Sequence, residues 1–172
     1  MKTFAIAALL GAASAFPSFD SFHAHCQIEV TIDKSCDDTL KALSNYVKSG
    51  KDEASPPGSY SMSQEDSTMV WATRTTANNK YTDDVMWAKV GDGSANTCTI
   101  QAKSKSKSLS YYDYSVNFCN MYNPLRAATG AAFTGDIVND VKVSKCSYPA
   151  TATSTCDRYW TNNPFTIFYT LS

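Results

Sequence analysis

Apolar and polar residues alternate along several short stretches of the chain, which is the pattern of strands that bury one face. In residues 27–32, Ile28, Val30 and Ile32 fall on one face and polar residues fall on the other. The same period predicts four further strands, separated by short polar turns, at residues 59–63, 68–75, 84–90 and 97–107. Because short connections join antiparallel neighbours, we expect these four strands to pair in order as a meander.

A helical pattern follows the first predicted strand. Ser35 and Asp38 form a capping box, in which side-chain oxygens satisfy the free N–H groups of a first helical turn. Apolar residues, among them Leu43, then recur three or four positions apart until Gly50, which can adopt the left-handed conformation that ends a helix. The sequence therefore predicts a helix over residues 36–49.

A second helix is predicted after the meander. Ser110 and Asp113 repeat the capping pattern and predict a helix over residues 111–122, which should end before Pro124. A meander with two helices favours an α+β fold, in which an antiparallel sheet carries the helices on one face.

Three aromatic residues of the meander, Trp71, Trp87 and Tyr81, are expected to form the core under the helices. The alternative is that they line an apolar cavity between sheet and helix, by analogy with lipid-carrying helix-grip folds. Further along the chain, residues 133–143 can contain a strand and residues 165–171 read as an aromatic-rich terminal strand.

The first residues carry the pattern of a cleaved secretory signal. Lys2 precedes an apolar run that ends in Ala-Ser-Ala at residues 13–15, the small-x-small pattern that signal peptidase accepts. The run is shorter than the roughly 20 residues that a membrane-spanning helix needs. We therefore predict a signal peptide at residues 1–15, an N-terminal tail at 16–25 and one disulfide-stapled domain at 26–172, secreted to the extracellular space.

The N-terminal residues have two alternative interpretations. The apolar run can instead form a strand or helix of the core. Ala-Ser-Ala-Phe at residues 13–16 also resembles the junction between signal and transit peptides in plastid proteins of algae with secondary plastids. That resemblance implies a protein of the plastid lumen.

The composition is that of a folded domain without an electrostatic case for nucleic acid. Aromatic residues make up 12% of the chain and charged residues 18%, which argues against disorder. The 15 Lys and Arg are balanced by 16 Asp and Glu, so no basic surface is expected. No segment of the mature chain is long and apolar enough to span a membrane. The sequence does not identify a binding partner.

Six cysteines follow the predicted signal, and none belongs to a C-x-x-C pair: Cys26, Cys36, Cys98, Cys119, Cys146 and Cys156. An even number behind a signal peptide favours three disulfides over zinc or thiol redox chemistry, although free structural cysteines are an alternative. Of the fifteen possible pairings, closeness in sequence favours Cys26–Cys36, Cys98–Cys119 and Cys146–Cys156. The last pair would close a surface loop at residues 146–156.

Three blocks of the chain carry a family resemblance. They read Tyr-Thr-Asp-Asp-Val at residues 81–85, Lys-Ser-Lys-Ser-Lys at 103–107 and Ser-Tyr-Tyr-Asp-Tyr-Ser-Val-Asn at 110–117. In this order they resemble a bacterial and plastid domain family of unknown function, whose blocks are D-D-v-e-f, R-S-x-S-R and S-D-x-G-x-N-R. Six-cysteine secreted proteins of protists and algae are similar over more of the length, again without an established activity.

The chain departs from that family at its basic positions. Lys103 and Lys107 stand where the family has arginines, and Phe118 follows Asn117 where the family has another arginine. Lysine does not reproduce the two parallel hydrogen bonds of an arginine with an anion. Any anion site that the resemblance implies is therefore in doubt for this chain.

Serines and lysines alternate at the end of the last meander strand, so that hydroxyls share one face and ammonium groups the other: Ser104, Ser106 and Ser108 against Lys103, Lys105 and Lys107. One interpretation is a solvated edge strand, whose lysines discourage pairing with another chain. The other interpretation is a serine row that lines a polar pocket.

Further polar residues can complete such a pocket. Asp113 and Asn117 lie four positions apart and so share one face of the second helix. Asp83 and Asp84 can add carboxylates from the third meander strand, with Arg74 as their counter-ion. Hydroxyl, amide and carboxylate groups together can hold a sugar, a headgroup or Ca²⁺. Asp113 also fits the simpler role of a helix cap.

Catalysis and metal binding have little support in the sequence. The two histidines, His23 and His25, lie in the predicted tail without a nearby third ligand or an orienting group. Asp83 and Asp84 point to opposite faces of a strand and cannot act together on one bond. We assign no catalytic residue, metal or cofactor.

The sequence favours a secreted, non-enzymatic domain that binds a small amphipathic ligand or serves as an extracellular or surface structural protein. One alternative is a hydrolase or transferase that uses Asp83 or Asp84 together with Ser106 and Asp113. Another alternative is a plastid-lumen protein.

Overall fold

The computed structural model describes residues 15–50, 58–113, 115–129, 141–147 and 156 of the 172-residue chain. The apolar run of the predicted signal, most of the predicted 146–156 loop and the predicted strand at 165–171 lie outside these residues. The described elements are β1 (His25–Ile32), α1 (Cys36–Lys48), β2 (Gly58–Glu65), β3 (Met69–Thr76), β4 (Thr82–Lys89), β5 (Cys98–Ser106), α2 (Val116–Thr129) and β6 (Lys142–Ser144).

These six strands form one antiparallel sheet in the order β2-β3-β4-β5-β1-β6. Strands β2 to β5 pair in chain order, which confirms the meander. Strand β1 pairs with β5 in the register Ile28↔Ala102, and the short β6 pairs with the other side of β1. Because β5 has a neighbour on both sides, its interpretation as an edge strand is wrong.

Both helices pack on one face of this sheet and against each other. Side chains that alternate along the strands point toward the helices and are fully buried: Ile28, Val30, Val85, Trp87 and Ile100. Each apolar side chain of this kind stabilises the fold by about 1.5–3 kcal/mol relative to an exposed one. The domain is α+β with its helices on one face, as the sequence predicts.

Helix α1 confirms the first helix prediction. The Ser35 hydroxyl oxygen accepts from the Asp38 N–H at 3.2 Å, and the hydroxyl itself donates to the Asp38 carboxylate at 2.7 Å. Leu43 and Val47 are buried against the sheet. Gly50, with φ +66°, follows the last turn. Local chemistry alone accounts for both ends of this helix.

Helix α2 begins at Val116, later than the sequence predicts, because Asp113 rather than Ser110 caps it. The Asp113 carboxylate accepts from the Asn117 N–H at 2.9 Å. The Ser110 hydroxyl donates instead to the carbonyl of Tyr112 at 3.1 Å. The prediction of a cap at Asp113 is therefore confirmed, and the predicted first turn is wrong.

Helix α2 also continues through Pro124, where the sequence predicts its end. Proline has no N–H, so the carbonyl of Asn120, four residues earlier, loses its helical partner. The hydroxyl of Tyr60 on β2 donates to that carbonyl at 2.9 Å. The indole N–H of Trp87 on β4 donates to the next carbonyl, that of Met121, at 3.0 Å. The sheet thus provides the donors that allow the helix to continue.

The six cysteines form three disulfides, but all three predicted pairs are wrong. The bonds join residues that lie 120, 62 and 37 positions apart: Cys26–Cys146, Cys36–Cys98 and Cys119–Cys156. A disulfide needs its two Cα atoms within about 7 Å. Cys26 lies at the start of β1 and Cys36 beyond its end, and an extended strand rises about 3.3 Å per residue. The strand therefore separates the two cysteines that are closest in sequence.

Residues 16–24, which the sequence assigns to a tail, lie against the outer face of the sheet. The ring of Phe16 contacts that of Trp71, with 5.8 Å between centroids. The Lys105 ammonium donates to the Asp20 carboxylate at 2.7 Å, and this hydrogen bond holds the pKa of Asp20 well below its usual range. The segment is thereby joined to both β3 and β5.

Of the three aromatic residues predicted for the core, only Trp87 lies there. Trp71 falls between the buried Val70 and Ala72, so the period of two places it on the outer face. Tyr81, which is 53% exposed, precedes β4. The prediction is therefore wrong for Trp71 and Tyr81.

We expect the double substitution Cys36→Ser, Cys98→Ser to lower the free energy of unfolding by about 4 kcal/mol, because the bond closes a loop of 62 positions. Urea titration followed by tryptophan fluorescence measures the loss. Peptide mapping of the unreduced protein is the control for the pairing. A Cys26–Cys36 peptide in that map would contradict the described arrangement.

Candidate functional site

One end of the helix–sheet interface is polar instead of apolar. Residues paired across four strands form a row on the helix-facing side: Tyr60, Arg74, Asp83 and Ser106, on β2, β3, β4 and β5. All four are buried, and Asp83 is only 2% exposed. Because neighbouring strands lie about 4.8 Å apart, this row brings a cation, a carboxyl group and hydroxyls into one layer.

Helix α2 lays amide side chains over this row. The Ser104 hydroxyl donates to Asn117 at 2.6 Å. The Asn120 amide donates to Asp83 at 2.8 Å and lies 3.4 Å from the Ser104 hydroxyl. The Asn117 amide reaches Ser106 at 3.4 Å. Buried polar groups of this kind are costly unless hydrogen-bonded, and here the helix and the sheet satisfy each other.

Asp113 connects the polar row to the start of α2. One of its carboxylate oxygens accepts from both the backbone N–H and the side-chain amide of Asn117, at 2.9 and 2.7 Å. Its other oxygen accepts from the N–H of Ser115 at 3.2 Å. The carboxylate therefore caps the helix and at the same time orients an amide of the buried network.

The pKa of Asp83, a buried member of this network, is shifted. Burial raises the pKa of Asp83 above its usual range, and the nearby charge of Asp113 adds to the rise. Hydrogen bonds from Ser106 and Asn120 and the charge of Arg74 act in the opposite direction but do not overcome burial. A carboxyl group with this balance lies in the class of perturbed groups that cluster at functional sites.

A cavity of about 240 Å³ opens where the row meets the start of α2. Its lining combines carboxyl groups, hydroxyls, two tyrosines and one valine: Thr76, Tyr81, Asp83, Ser106, Ser110, Tyr112, Asp113 and Val116. Asp83 and Ser106 form its buried floor. Tyr81 and Tyr112 are 53% and 71% exposed and lie at its mouth. The buried members of the lining are therefore polar, and its most exposed members are aromatic.

The structure brings together six of the eight residues that the sequence proposes for a site: Arg74, Asp83, Ser104, Ser106, Asp113 and Asn117. Three of them, Asp83, Ser106 and Asp113, line the cavity directly. The other three are not in the lining. Asn117 hydrogen-bonds to Ser106 and Asp113, the charge of Arg74 acts on Asp83, and Ser104 hydrogen-bonds to Asn117 and Asn120.

Two proposed residues lie apart from the cluster. Asp84 points to the outer face, where its carboxylate lies 3.4 Å from the ammonium of Lys107. It therefore lies away from the cavity, because adjacent strand residues face opposite ways. Ser108 follows the end of β5, and its hydroxyl is buried without a hydrogen-bond partner in the described part of the chain.

Two further members of the site, Asn120 and Thr76, are not predicted above, although the helix and strand periods place them on the same faces as predicted residues. Asn120 lies three positions after Asn117 and so falls on the same face of α2. Thr76 lies two positions after Arg74 on the same side of β3. The tyrosines at the mouth carry no comparable signal, because they lie outside the strands and helices.

The described residues contain no group of three or more His, Cys, Asp or Glu side chains that could hold a metal ion. Neither described helix is long and apolar enough to cross a membrane.

No family model matches the chain, and no curated protein matches it. Among solved structures, the Zhui aromatase/cyclase from Streptomyces sp. R1128 is similar at a TM-score of 0.32 and 11% identity, over 63% of this chain and 83% of that chain. A likeness at this level carries no argument about what this chain does, so the function has to be inferred from the site.

We expect Asp83→Asn to change how stability depends on pH. Since burial raises the pKa of Asp83, the stability that this group contributes is present below its unfolded pKa of about 4 and is lost as pH rises through the folded value. Asparagine does not ionise, so the variant does not lose stability in this way. Its free energy of unfolding should therefore increase relative to that of the natural protein as the pH is raised from 3 to 8. Urea titrations across that range measure the difference.

The matched control is Asp84→Asn, which removes a carboxylate from the adjacent, outward-facing position of the same strand. Parallel stability curves for Asp83→Asn and the natural protein would show that burial does not alter this carboxyl group.

Proposed function

We propose that the protein is a secreted, non-enzymatic module that binds a small amphipathic ligand in the cavity at the start of α2. The observation that carries this proposal is the combination of a buried polar floor, Asp83 and Ser106, with an exposed aromatic mouth, Tyr81 and Tyr112. Concave sites with a few convergent polar groups and a perturbed carboxyl group are the usual location of ligand binding.

The size of the cavity supports a small ligand, or one end of a larger one. Its 240 Å³ lies just below the range of about 300–1,000 Å³ that is typical of pockets for drug-sized molecules. The chemical gradient favours an orientation in which the polar end of the ligand reaches Asp83 and its apolar part contacts the tyrosines. Tyrosine offers both a hydrophobic face and a hydroxyl, which suits such a boundary with water.

The disulfides and the N-terminal sequence support secretion. Disulfides form and persist in oxidising compartments, and all six cysteines of this chain are paired. Residues 1–15 carry the signal-peptide pattern. Sequencing the mature protein separates secretion from plastid import: a start at Phe16 favours secretion, whereas a start well beyond it favours removal of a transit segment.

We expect fragments that combine a polar group with a phenyl or short alkyl part to shift backbone amide signals around Ser106, Ser110 and Val116 in NMR titrations. The substitution Ser110→Trp places a large ring in the cavity lining, so it should weaken binding at least about tenfold.

Leu109→Trp is the matched control, because Leu109 is adjacent in sequence, 73% exposed and outside the cavity lining. It should leave the fragment affinities unchanged. Titrations in which no fragment shifts these signals, or in which both tryptophan variants bind equally well, would contradict a ligand site here. A purely structural role outside the cell would then be the better interpretation.

A hydrolase or transferase is the second candidate, and the raised pKa of Asp83 is the observation that favours it. A carboxyl group that burial holds protonated to higher pH than a free carboxyl group can act as a general acid. Ser106 and Asp113 share its cavity, but Asp84 does not and drops out of this candidate. Turnover of a chromogenic ester or glycoside that Asp83→Asn abolishes would favour the enzyme over the binding module.

A further inference from the structure

The serine and threonine hydroxyls of the cavity lining are already hydrogen-bonded within the protein. The Thr76 hydroxyl donates to the side-chain oxygen of Asn78 at 2.8 Å, and the Ser110 hydroxyl donates to the carbonyl of Tyr112 at 3.1 Å. The Ser106 hydroxyl is hydrogen-bonded to Asp83 and is the donor of that pair whenever the carboxyl group is ionised. Each of these oxygens keeps a lone pair that can accept.

The two carboxyl groups of the cavity are also acceptors. Asp113 receives hydrogen bonds from Ser115 and Asn117, and Asp83 receives one from Asn120. An ionised carboxylate has about four lone-pair positions and no donor of its own, and Asp83 offers a single hydrogen only while it is protonated. Once both groups are ionised, the capacity that remains free on the cavity floor is acceptor capacity.

The charged groups of the cavity lining also favour a ligand that donates hydrogen bonds. The cavity lining has two acidic side chains, and none of its described members is Lys, Arg or His. At its mouth, the rings of Tyr81 and Tyr112 present faces that attract cations. Arg74 lies behind Asp83 and offsets part of this negative charge, but it is not a member of the lining. An anionic ligand would therefore be repelled by the ionised carboxylates, with the tyrosine hydroxyls as its donors among the described lining residues. A ligand with N–H donors and a positive charge would match both the acceptors and the carboxylate charge.

We propose that the ligand of this cavity is a protonated amine with an apolar body, whose ammonium group donates to Asp83 and Asp113 and whose hydrocarbon part contacts Tyr81 and Tyr112. This assignment rests on the proposed function and specifies its ligand class. An ammonium group offers three donors and one charge, and the acceptor-rich floor provides oxygens for both.

Proton release accompanies binding in this arrangement. Asp83 faces Arg74 from β3, Ser106 from β5, Asn120 from α2 and Asp113 from the segment before α2. An ammonium group beside Asp83 favours its ionised form, while burial favours the neutral form in the free protein. Amine affinity therefore rises with pH until Asp83 of the free protein is ionised, and it falls again when the amine loses its own proton near pH 10.

The test uses four probes, and calorimetric titration of the full mature protein measures their affinities. They are 2-phenylethylamine, the neutral 2-phenylethanol, the anionic phenylacetate and a methyl β-glucoside as an uncharged polyol. We expect the amine to bind at least about tenfold more tightly than the alcohol or the glucoside. Phenylacetate should bind more weakly than any of the others, and the amine affinity should rise as the pH is raised above about 4, the ordinary pKa of an aspartate.

Asp113→Asn separates charge from structure, because asparagine is as good a helix cap as aspartate. This variant should lose most of the preference for the amine over the alcohol, because its amine affinity falls by a larger factor than its alcohol affinity, while its circular dichroism stays the same. Asp84→Asn, which removes a carboxylate outside the cavity, should retain the full preference. A change in alcohol affinity equal to that for the amine would indicate a structural effect and overturn the role of this charge.

The possible failures are distinguishable. If the alcohol, the glucoside or phenylacetate binds in the cavity as tightly as the amine, the amine assignment is overturned and the binding module stands. If none of the four probes binds, the amine assignment is overturned as well, and the fragment titrations with Ser110→Trp and Leu109→Trp decide the proposed function separately.

Discussion

The contact between the sheet and the proline-bearing middle of α2 is the constraint on which the rest of this structure depends. Pro124 leaves the carbonyl of Asn120 without its helical donor, and Tyr60 supplies a hydroxyl in its place. The indole of Trp87 binds the neighbouring carbonyl of Met121. These hydrogen bonds determine the depth and rotation of the helix over β2 and β4. That rotation is what directs the asparagine side chains of α2 toward the sheet.

The polar network follows from this placement. Apolar side chains would close the end of the interface more cheaply, since removing a carboxyl group from water costs several kcal/mol unless it is compensated. The chain instead buries Arg74, Asp83 and Ser106 in one row and covers them with amides. The hydrogen bonds between helix and sheet compensate this cost, and the cavity lies directly beside the network.

The sequence predicts those features that depend on neighbours in the chain. The period of two places Ser104 and Ser106 on one face, and the helical period places Asn117 with Asp113. The sequence does not predict that β1 pairs with β5, because that contact joins distant segments of the chain. For the same reason the cysteine pairs and the central position of the lysine-bearing strand are missed. Pro124 is the reverse case, in which a sound local rule yields to donors that only the folded sheet provides.

The position of β1 has a consequence for how the chain matures. Its hydrogen-bond partners lie in β5, and Cys26 is bonded to Cys146, 120 positions away. The meander β2 to β5 can form from neighbouring hairpins as the chain emerges, whereas contacts between distant segments form slowly. Strand β1 therefore waits for β5 before it gains a partner on that side, and Cys26 stays a thiol until Cys146 has been synthesised. The covalent bond that fixes the beginning of the described domain is thus one of the last that the nascent chain can make.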